Sequence, residues 1–342
     1  MRSAVFRGMS IAVVVMVVLG ATAVVSAGEG VMEINQTVVE QGLPPCSYLG
    51  AGFPCDINSS GSYVLTGDLV APDQNTDVIV VRSDNVTIDL NGFSIIGPND
   101  CTLNDTVIEC TAVGGGVGIL SSIGDNITVR NGTIRGTGDS AIALQDRTTV
   151  ENIQVRDAGS EAIIVGSDSH VVSCTVTEVK GSAVYLFGSN AVVRDCQVSI
   201  IDKVGVYVEL EGATITGNTI MRTGFFAGGE GIYVAGSATV VGNTVHRSGG
   251  HGIVVGANGL VRGNVVYNAQ NSGIVFGGMG SAIDNMVSIC DEYGITFSAA
   301  GGAFGGNTID GNLLGPVYVT GPGAVVELST NACDGGIMCL GP

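Results

Sequence analysis

A short segment of alternating residues recurs along the chain, and its spacing restricts the possible fold more than any other feature. The segment reads small, aliphatic, any residue, aliphatic, and successive copies start 21, 21, 22, 26, 21, 21 and 21 residues apart. Alternation with a period of two indicates strands that bury one face. The eight copies are Ala141–Leu144, Ala162–Val165, Ala183–Leu186, Gly205–Val208, Gly231–Val234, Gly252–Val255, Gly273–Phe276 and Gly294–Phe297.

Each period also contains a second segment that centres on asparagine. Asparagine tolerates turn conformations, and stacked side-chain amides bond to one another along a ladder, so we interpret the row as structural. Cys174 and Cys196 take the same position in earlier periods and are interpreted as stacked interior thiols, whereas the state of Cys290 is left open. The row comprises Asn218, Asn243, Asn264, Asn285 and Asn307.

Periods of this length leave no room for crossover helices, so the chain has to wind with each strand lying on its counterpart one turn earlier. Parallel crossovers are almost always right-handed. The sequence therefore predicts an all-β, single-stranded, right-handed parallel β-helix of about ten or eleven coils over residues 76–329, roughly 50 Å long at about 4.8 Å per coil. Residues 28–75 and 330–342 are expected to cap its two ends.

The N-terminus has the pattern of an export signal. Arg2 and Arg7 precede the uncharged apolar run Ile11–Leu19, and Val25-Ser26-Ala27 offers small residues for cleavage after Ala27. A signal peptide over residues 1–27 predicts a secreted, extracellular or periplasmic protein with no membrane span after cleavage. An uncleaved membrane anchor is the alternative, although the apolar run is short for a span.

Nine cysteines agree with an oxidising compartment. Three pairs bracket short segments, and we expect disulfides between Cys46 and Cys55, Cys101 and Cys110, and Cys333 and Cys339. No Cys-x-x-Cys pair suggests zinc. The net charge of −18, with only 13 Lys and Arg, argues against nucleic acid as a partner.

Three stretches carry a resemblance to known proteins: Asn58–Leu69, Asn85–Phe93 and Asn126–Ile134. They are similar to a group of uncharacterised bacterial exported β-helix proteins, and the repeat resembles the pectin-lyase-like superfamily over about three quarters of the chain. This resemblance implies the fold and says little about chemistry, because a fold by itself is a weak guide to function.

The catalytic sets of the pectin hydrolases with this fold are incomplete here. Asn75-Thr76-Asp77 and Gly250-His251-Gly252 match fragments of them, but the two fragments are about 175 residues apart in the chain. An inverting hydrolase needs two carboxyl groups about 6.5–9.5 Å apart, so both matches are interpreted as chance. No run of alternating Asp indicates a calcium site, and neither a metal nor another cofactor is predicted, with calcium left open.

One set of residues stands out near the long step of the repeat. Tyr185, Tyr207 and Tyr233 occupy the outward position of three successive strands and are predicted to form an exposed ladder. Aromatic rings, carboxylates and a few cations along a rod suit an extended glycan. Stacked tyrosines also stabilise a sheet when nothing binds. The flanking candidates are Lys180, Lys203, Glu209, Glu230, His251 and, in the inserted loop, Phe225 and Phe226.

Three functions follow as hypotheses. The first is a monomeric exported protein that binds carbohydrate or cell-envelope polysaccharide without catalysis. The second is a polysaccharide lyase or glycoside hydrolase, in which Lys180 or Lys203 acts as base or charge neutraliser. Glu230 and His251 are then its acid and base candidates. The third is a purely structural surface or adhesion rod. The sequence favours a protein that is not an enzyme and leaves the question open.

Overall fold

The computed structural model describes residues 30–47, 49–104, 107–224, 228–299, 301–320, 325–334 and 339. The predicted signal peptide over residues 1–27 and the loop residues Phe225 and Phe226 lie outside them. Regular structure in the described part is almost entirely β, arranged as coils of three strands each. In chain order the three strands of a coil contribute to a first, a second and a third ladder, and every ladder pairing is parallel.

The first ladder forms a sheet of its own and contains the alternating segments. Its strands are Cys55–Ile57, Ile79–Val81, Ile119–Leu120, Ile142–Ala143, Ile163–Val165, Val184–Leu186, Val206–Val208, Ile232–Val234, Ile253–Val255, Ile274–Phe276, Tyr293–Phe297 and Gly315–Val319.

The second and third ladders share one large sheet, because Ile127–Arg135 and Thr149–Ala158 run through both. The other strands of the second ladder are Val31–Ile34, Gly61–Leu65, Val86–Asp89, His170–Val172, Val192–Arg194, Ala213–Thr216, Ala238–Val241, Gly259–Arg262, Gly280–Ile283, Ala303–Gly305 and Val326–Glu327. Those of the third are Leu69–Val70, Ser94–Ile96, Thr175–Val179, Gln197–Ile201, Thr219–Thr223, Thr244–Ser248, Val265–Tyr267, Met286–Ser288, Thr308–Asp310 and Ala332–Cys333.

The predicted right-handed parallel β-helix is confirmed, with about twelve turns rather than ten or eleven. The difference arises at the N-terminal end, where the repeat pattern is weak. Val31–Ile34 already pairs in parallel with Gly61–Leu65, and Cys55–Ile57 pairs with Ile79–Val81. A single helix, Gln36–Gln41, begins at the N-cap Asn35 and buries Val39 against this first turn.

The interior is filled by the inward residues of all three ladders, which are mostly Ile, Val, Leu and Ala. Near the C-terminal end the aliphatic stack gives way to Phe276 and Phe297, whose rings stack at 5.1 Å. Each coil therefore buries its apolar side chains only against its neighbours, as in other solenoids.

The asparagine row is a buried, fully bonded stack at the turn between the second and third ladders. Asn243, for example, donates from its Nδ2 to Asn264 Oδ1 at 3.0 Å, and its backbone N–H donates to the same oxygen at 2.9 Å. The stack runs one residue further than the sequence suggested, since Asn307 Nδ2 donates to Asn331 Oδ1 at 2.9 Å. Its members from Asn218 to Asn307 are 1% exposed, which suits a structural role.

The cysteines divide into two groups, as the sequence suggested. Disulfides join Cys46 to Cys55, Cys101 to Cys110, and Cys333 to Cys339. The second disulfide closes an antiparallel hairpin of Cys101–Asn104 and Val107–Cys110, where an irregular segment was expected. Three free thiols, Cys174, Cys196 and Cys290, are buried. Desolvation raises the pKa of the Cys290 thiol to about 11, so this sulfur is held as an unreactive thiol.

Candidate functional site

The three predicted tyrosines stand in register on the outward face of the first ladder. Tyr185 pairs with Tyr207, and Tyr207 pairs with Tyr233, so the side chains project from directly adjacent strands. Their ring centroids are 5.4 and 5.1 Å apart, and all three side chains are partly exposed. The structure therefore brings together the aromatic part of the predicted site.

The orientation of the rings changes what they offer to a ligand. Tyr207 and Tyr233 are stacked with an angle of 11° between their planes, so each covers a face of the other. Tyr185 is tilted by 53° from Tyr207. The faces that were expected to take sugar rings are therefore largely used within the ladder, and the ring edges and hydroxyl groups remain available.

The tyrosines form the centre of a longer outward row that we call the tyrosine face. Ile164 precedes Tyr185 in register, and Val254 and then Val275 follow Tyr233. These side chains are partly exposed. The alternation that buries one side of each strand thus leaves an apolar strip on the other side, which runs along the rod.

Glu209 follows the strand of Tyr207 and is bonded to this row. Its Oε1 accepts a hydrogen bond of 2.5 Å from the Tyr185 hydroxyl. Burial, and then this carboxylate, raise the pKa of Tyr185 from 10.0 to about 12. Burial and the neighbouring Tyr233, Glu209 and Glu230 also raise the pKa of Tyr207. Both phenols therefore remain neutral hydrogen-bonding groups at ordinary pH.

The two lysines do not lie directly on one another. The step between their coils is 22 residues, which shifts the register, and Asp202 pairs with Lys180 instead. Burial raises the pKa of Asp202, while Lys180 and Lys203 oppose that shift. Lys203 Nζ lies 3.5 Å from Glu161 Oε1. This carboxylate stabilises the ammonium ion, so Lys203 is better suited to neutralise a charge than to act as a base.

Glu230 and His251 lie at the edge of the tyrosine face, in neighbouring coils. The backbone of Gly231 donates to the carbonyl of His251, which places the two residues in register. His251 Nδ1 accepts a hydrogen bond of 3.1 Å from the Ser272 backbone N–H. The imidazole is therefore held as a structural acceptor through one nitrogen, with Nε2 as its other polar atom.

A second feature lies on a different face and escaped the sequence reasoning. A depression of about 300 Å³ on the outward side of the third ladder is lined by polar side chains from three coils. The signal was present as Arg135 and Arg156, which are 21 residues apart at equivalent positions of the repeat. The lining residues are Thr133, Arg135, Gln154, Val155, Arg156, Thr175 and Thr177.

Comparison with known proteins agrees with this geometry. The profile of the family described as "Right handed beta helix region" matches residues 69–220 and 161–314. The chain belongs to this family. A comparison with curated protein sequences finds no match.

Solved structures extend the likeness of fold. The periplasmic alginate epimerase AlgG superposes with a TM-score of 0.54 at 13% identity, over 89% of this chain and 83% of its own. The Agl-KA catalytic domain gives a TM-score of 0.53 at 12% identity, over 80% of this chain and 58% of its own. At such low identity the likeness concerns the fold alone. In the described ranges no helix has the length and apolar character to cross a membrane.

Proposed function

We propose that this chain is an exported β-helix protein that binds a polysaccharide or cell-surface glycan along its tyrosine face, without catalysing a reaction on it. The observation that carries the proposal is the in-register row of Tyr185, Tyr207 and Tyr233, which continues into an outward apolar strip. Such exposed strips are unusual on soluble proteins and tend to mark binding surfaces.

The chemistry of the face suits a sugar chain. The tyrosine hydroxyls and the carboxylates of Glu161, Glu209 and Glu230 are hydrogen-bonding partners for sugar hydroxyl groups, and Ile164 and Val254 offer apolar contact. Because the ring faces are stacked on one another, we expect the glycan to lie across the ring edges, along the rod. The proposal requires no metal or cofactor and treats the chain as a monomer.

The fold of the similar proteins supports a carbohydrate ligand and an exported location. AlgG is named as a periplasmic alginate epimerase, and its fold resembles this one over most of both chains. The export signal predicted over residues 1–27 agrees with that location.

A glycan array probed with the full mature chain tests the proposal. We expect binding to a defined subset of polysaccharides, and an affinity lower by about tenfold or more in Tyr207→Ala/Tyr233→Ala, because hydroxyl and apolar contacts are lost together. Tyr267→Ala is the matched control, since Tyr267 projects from the third ladder and is 39% exposed. Equal binding by the double variant and the unaltered protein would remove the assignment of the site.

The register of Glu230 with His251 keeps a lyase or hydrolase as the second candidate, with Lys203 to neutralise a substrate carboxylate. Incubation with uronate-rich polymers, followed by assays for unsaturated ends and for reducing ends, tests it. Activity that is abolished in Lys203→Ala/Glu230→Gln would favour the enzyme, and activity that is unaltered in this variant would exclude these residues.

A further inference from the structure

Two arginines lie directly opposite each other on the third ladder, which is a costly arrangement. Arg135 pairs with Arg156 in adjacent coils, in a chain with only 13 Lys and Arg among 342 residues. Like charges in directly opposite positions destabilise a sheet. Both side chains are exposed, and both line the depression on this face, which we call the arginine groove.

Arg156 is held in place by acidic neighbours. Its Nε donates to Asp157 Oδ2 at 2.8 Å and lies 3.4 Å from Glu178 Oε2. Both nearest contacts are at Nε, so the Nη edge of the guanidinium group is left for a ligand. The side chain remains 53% exposed.

The disulfide-closed hairpin fixes the main partner of Arg156. Asp157 is 3% exposed, and its Oδ1 accepts a hydrogen bond of 3.3 Å from the Cys101 backbone N–H. Asn99 Nδ2 adds a bond of 3.1 Å to the Thr137 carbonyl in the preceding coil. The hairpin therefore fixes the carboxylate of Asp157, and through it the position of the Arg156 guanidinium group.

Arg135 has no such partner. Within the described residues it forms no ion pair, and the opposite residue on its other side is Ile96. An anion placed between the two guanidinium groups would remove their mutual repulsion and would satisfy both. Paired arginines suit a carboxylate, whose two oxygens match their donor geometry.

The remaining lining residues point to a sugar as the carrier of that carboxylate. Thr133, Gln154 and Thr175 lie in register across three coils, and Thr177 follows Arg156. Hydroxyl and amide groups both donate and accept, which matches sugar hydroxyl groups. A volume of about 300 Å³ is at the lower end for small-ligand sites, so the groove accommodates a short stretch of a chain.

We propose that the arginine groove is a second ligand site, separate from the tyrosine face, that binds an acidic sugar unit. The carboxylate bridges Arg135 and Arg156, and the hydroxyl groups of the sugar bond to Thr133, Gln154 and Thr175. The groove site does not depend on the tyrosine face being a glycan site, because the two lie on different ladders.

Calorimetric titration of the full mature chain tests the site, with short oligomers of galacturonate and of mannuronate as probes. We expect at least one of them to bind, and its carboxyl-reduced counterpart not to bind. Arg135→Gln and Arg156→Gln should each weaken binding about ten- to a hundredfold, as expected for the loss of a charged hydrogen bond. Arg135→Gln changes an exposed side chain without an ion pair, so this variant should remain folded.

The control for charge is Arg194→Gln, because Arg194 is 50% exposed, lies on the second ladder and contacts Asp195. This variant and Tyr207→Ala/Tyr233→Ala should bind the uronate with unaltered affinity. The site is overturned if neither uronate binds or if the carboxyl-reduced oligomer binds equally well. Unaltered affinity in both arginine variants, or loss of affinity in the tyrosine variant, would also overturn it.

Discussion

Two stacks of like side chains rise along this solenoid with the same period, one inside and one outside. The asparagines are 1% exposed, and their amides bond to the next amide and to backbone carbonyls. The tyrosines are partly exposed, and their hydroxyls and ring edges face outward. A repeated side chain therefore indicates stabilisation first. A binding role becomes credible where the repeat leaves polar groups accessible to a ligand.

The largest effect is expected inside. Asn264→Ala removes the acceptor of two Asn243 donors and the donor to Val240 O, all between 2.9 and 3.0 Å. Because these partners stay buried without a bond, we expect the free energy of unfolding to fall by about 3–5 kcal/mol. Urea unfolding measures it. Asn271→Ala is the control, since its side chain makes no hydrogen bond to another described residue, and a similar loss in both variants would contradict the role of the stack.

A smaller effect on stability is expected outside. Tyr207→Ala removes two ring contacts, at 5.4 and 5.1 Å, from a side chain that is only partly buried. We expect the free energy of unfolding to fall by about 1–2 kcal/mol in the same assay. A loss as large as that of Asn264→Ala would show that the tyrosine stack is mainly structural and would weaken the case for a ligand.

The smallest effect is a dependence on alkaline pH. The folded protein raises the pKa of Tyr185 to about 12, so the native state retains a proton that the unfolded chain loses near 10. The contribution of this hydroxyl to stability is complete below pH 10 and is lost as the pH rises through about 12. Tyr185→Phe should flatten the pH dependence of unfolding in this window. An unchanged profile would show that the bond to Glu209 does not form in solution.

The period of the alternating segments was sufficient to predict the fold and the register of the tyrosines, because coils of equal length stack equivalent positions. It did not reveal the first turn near Val31, where the pattern is irregular. It also misplaced the lysines, because one extra residue in a coil moves Lys203 away from Lys180.

The arginine groove shows a different limit. Arg135 and Arg156 have the spacing of the repeat, but their opposition becomes significant only when the ladder register and the hairpin bond to Asp157 are known. The orientation of the tyrosine rings is likewise a matter of side-chain packing. Neither feature follows from the positions of residues along the chain.

Hydroxyl-radical footprinting, with and without the glycan that binds best on the array, tests the central claim most directly. We expect the bound glycan to protect Tyr185, Tyr207 and Tyr233 from oxidation and to leave Tyr267, on the third ladder, as reactive as before. Equal reactivity of the three tyrosines with and without saturating glycan would contradict binding at the tyrosine face.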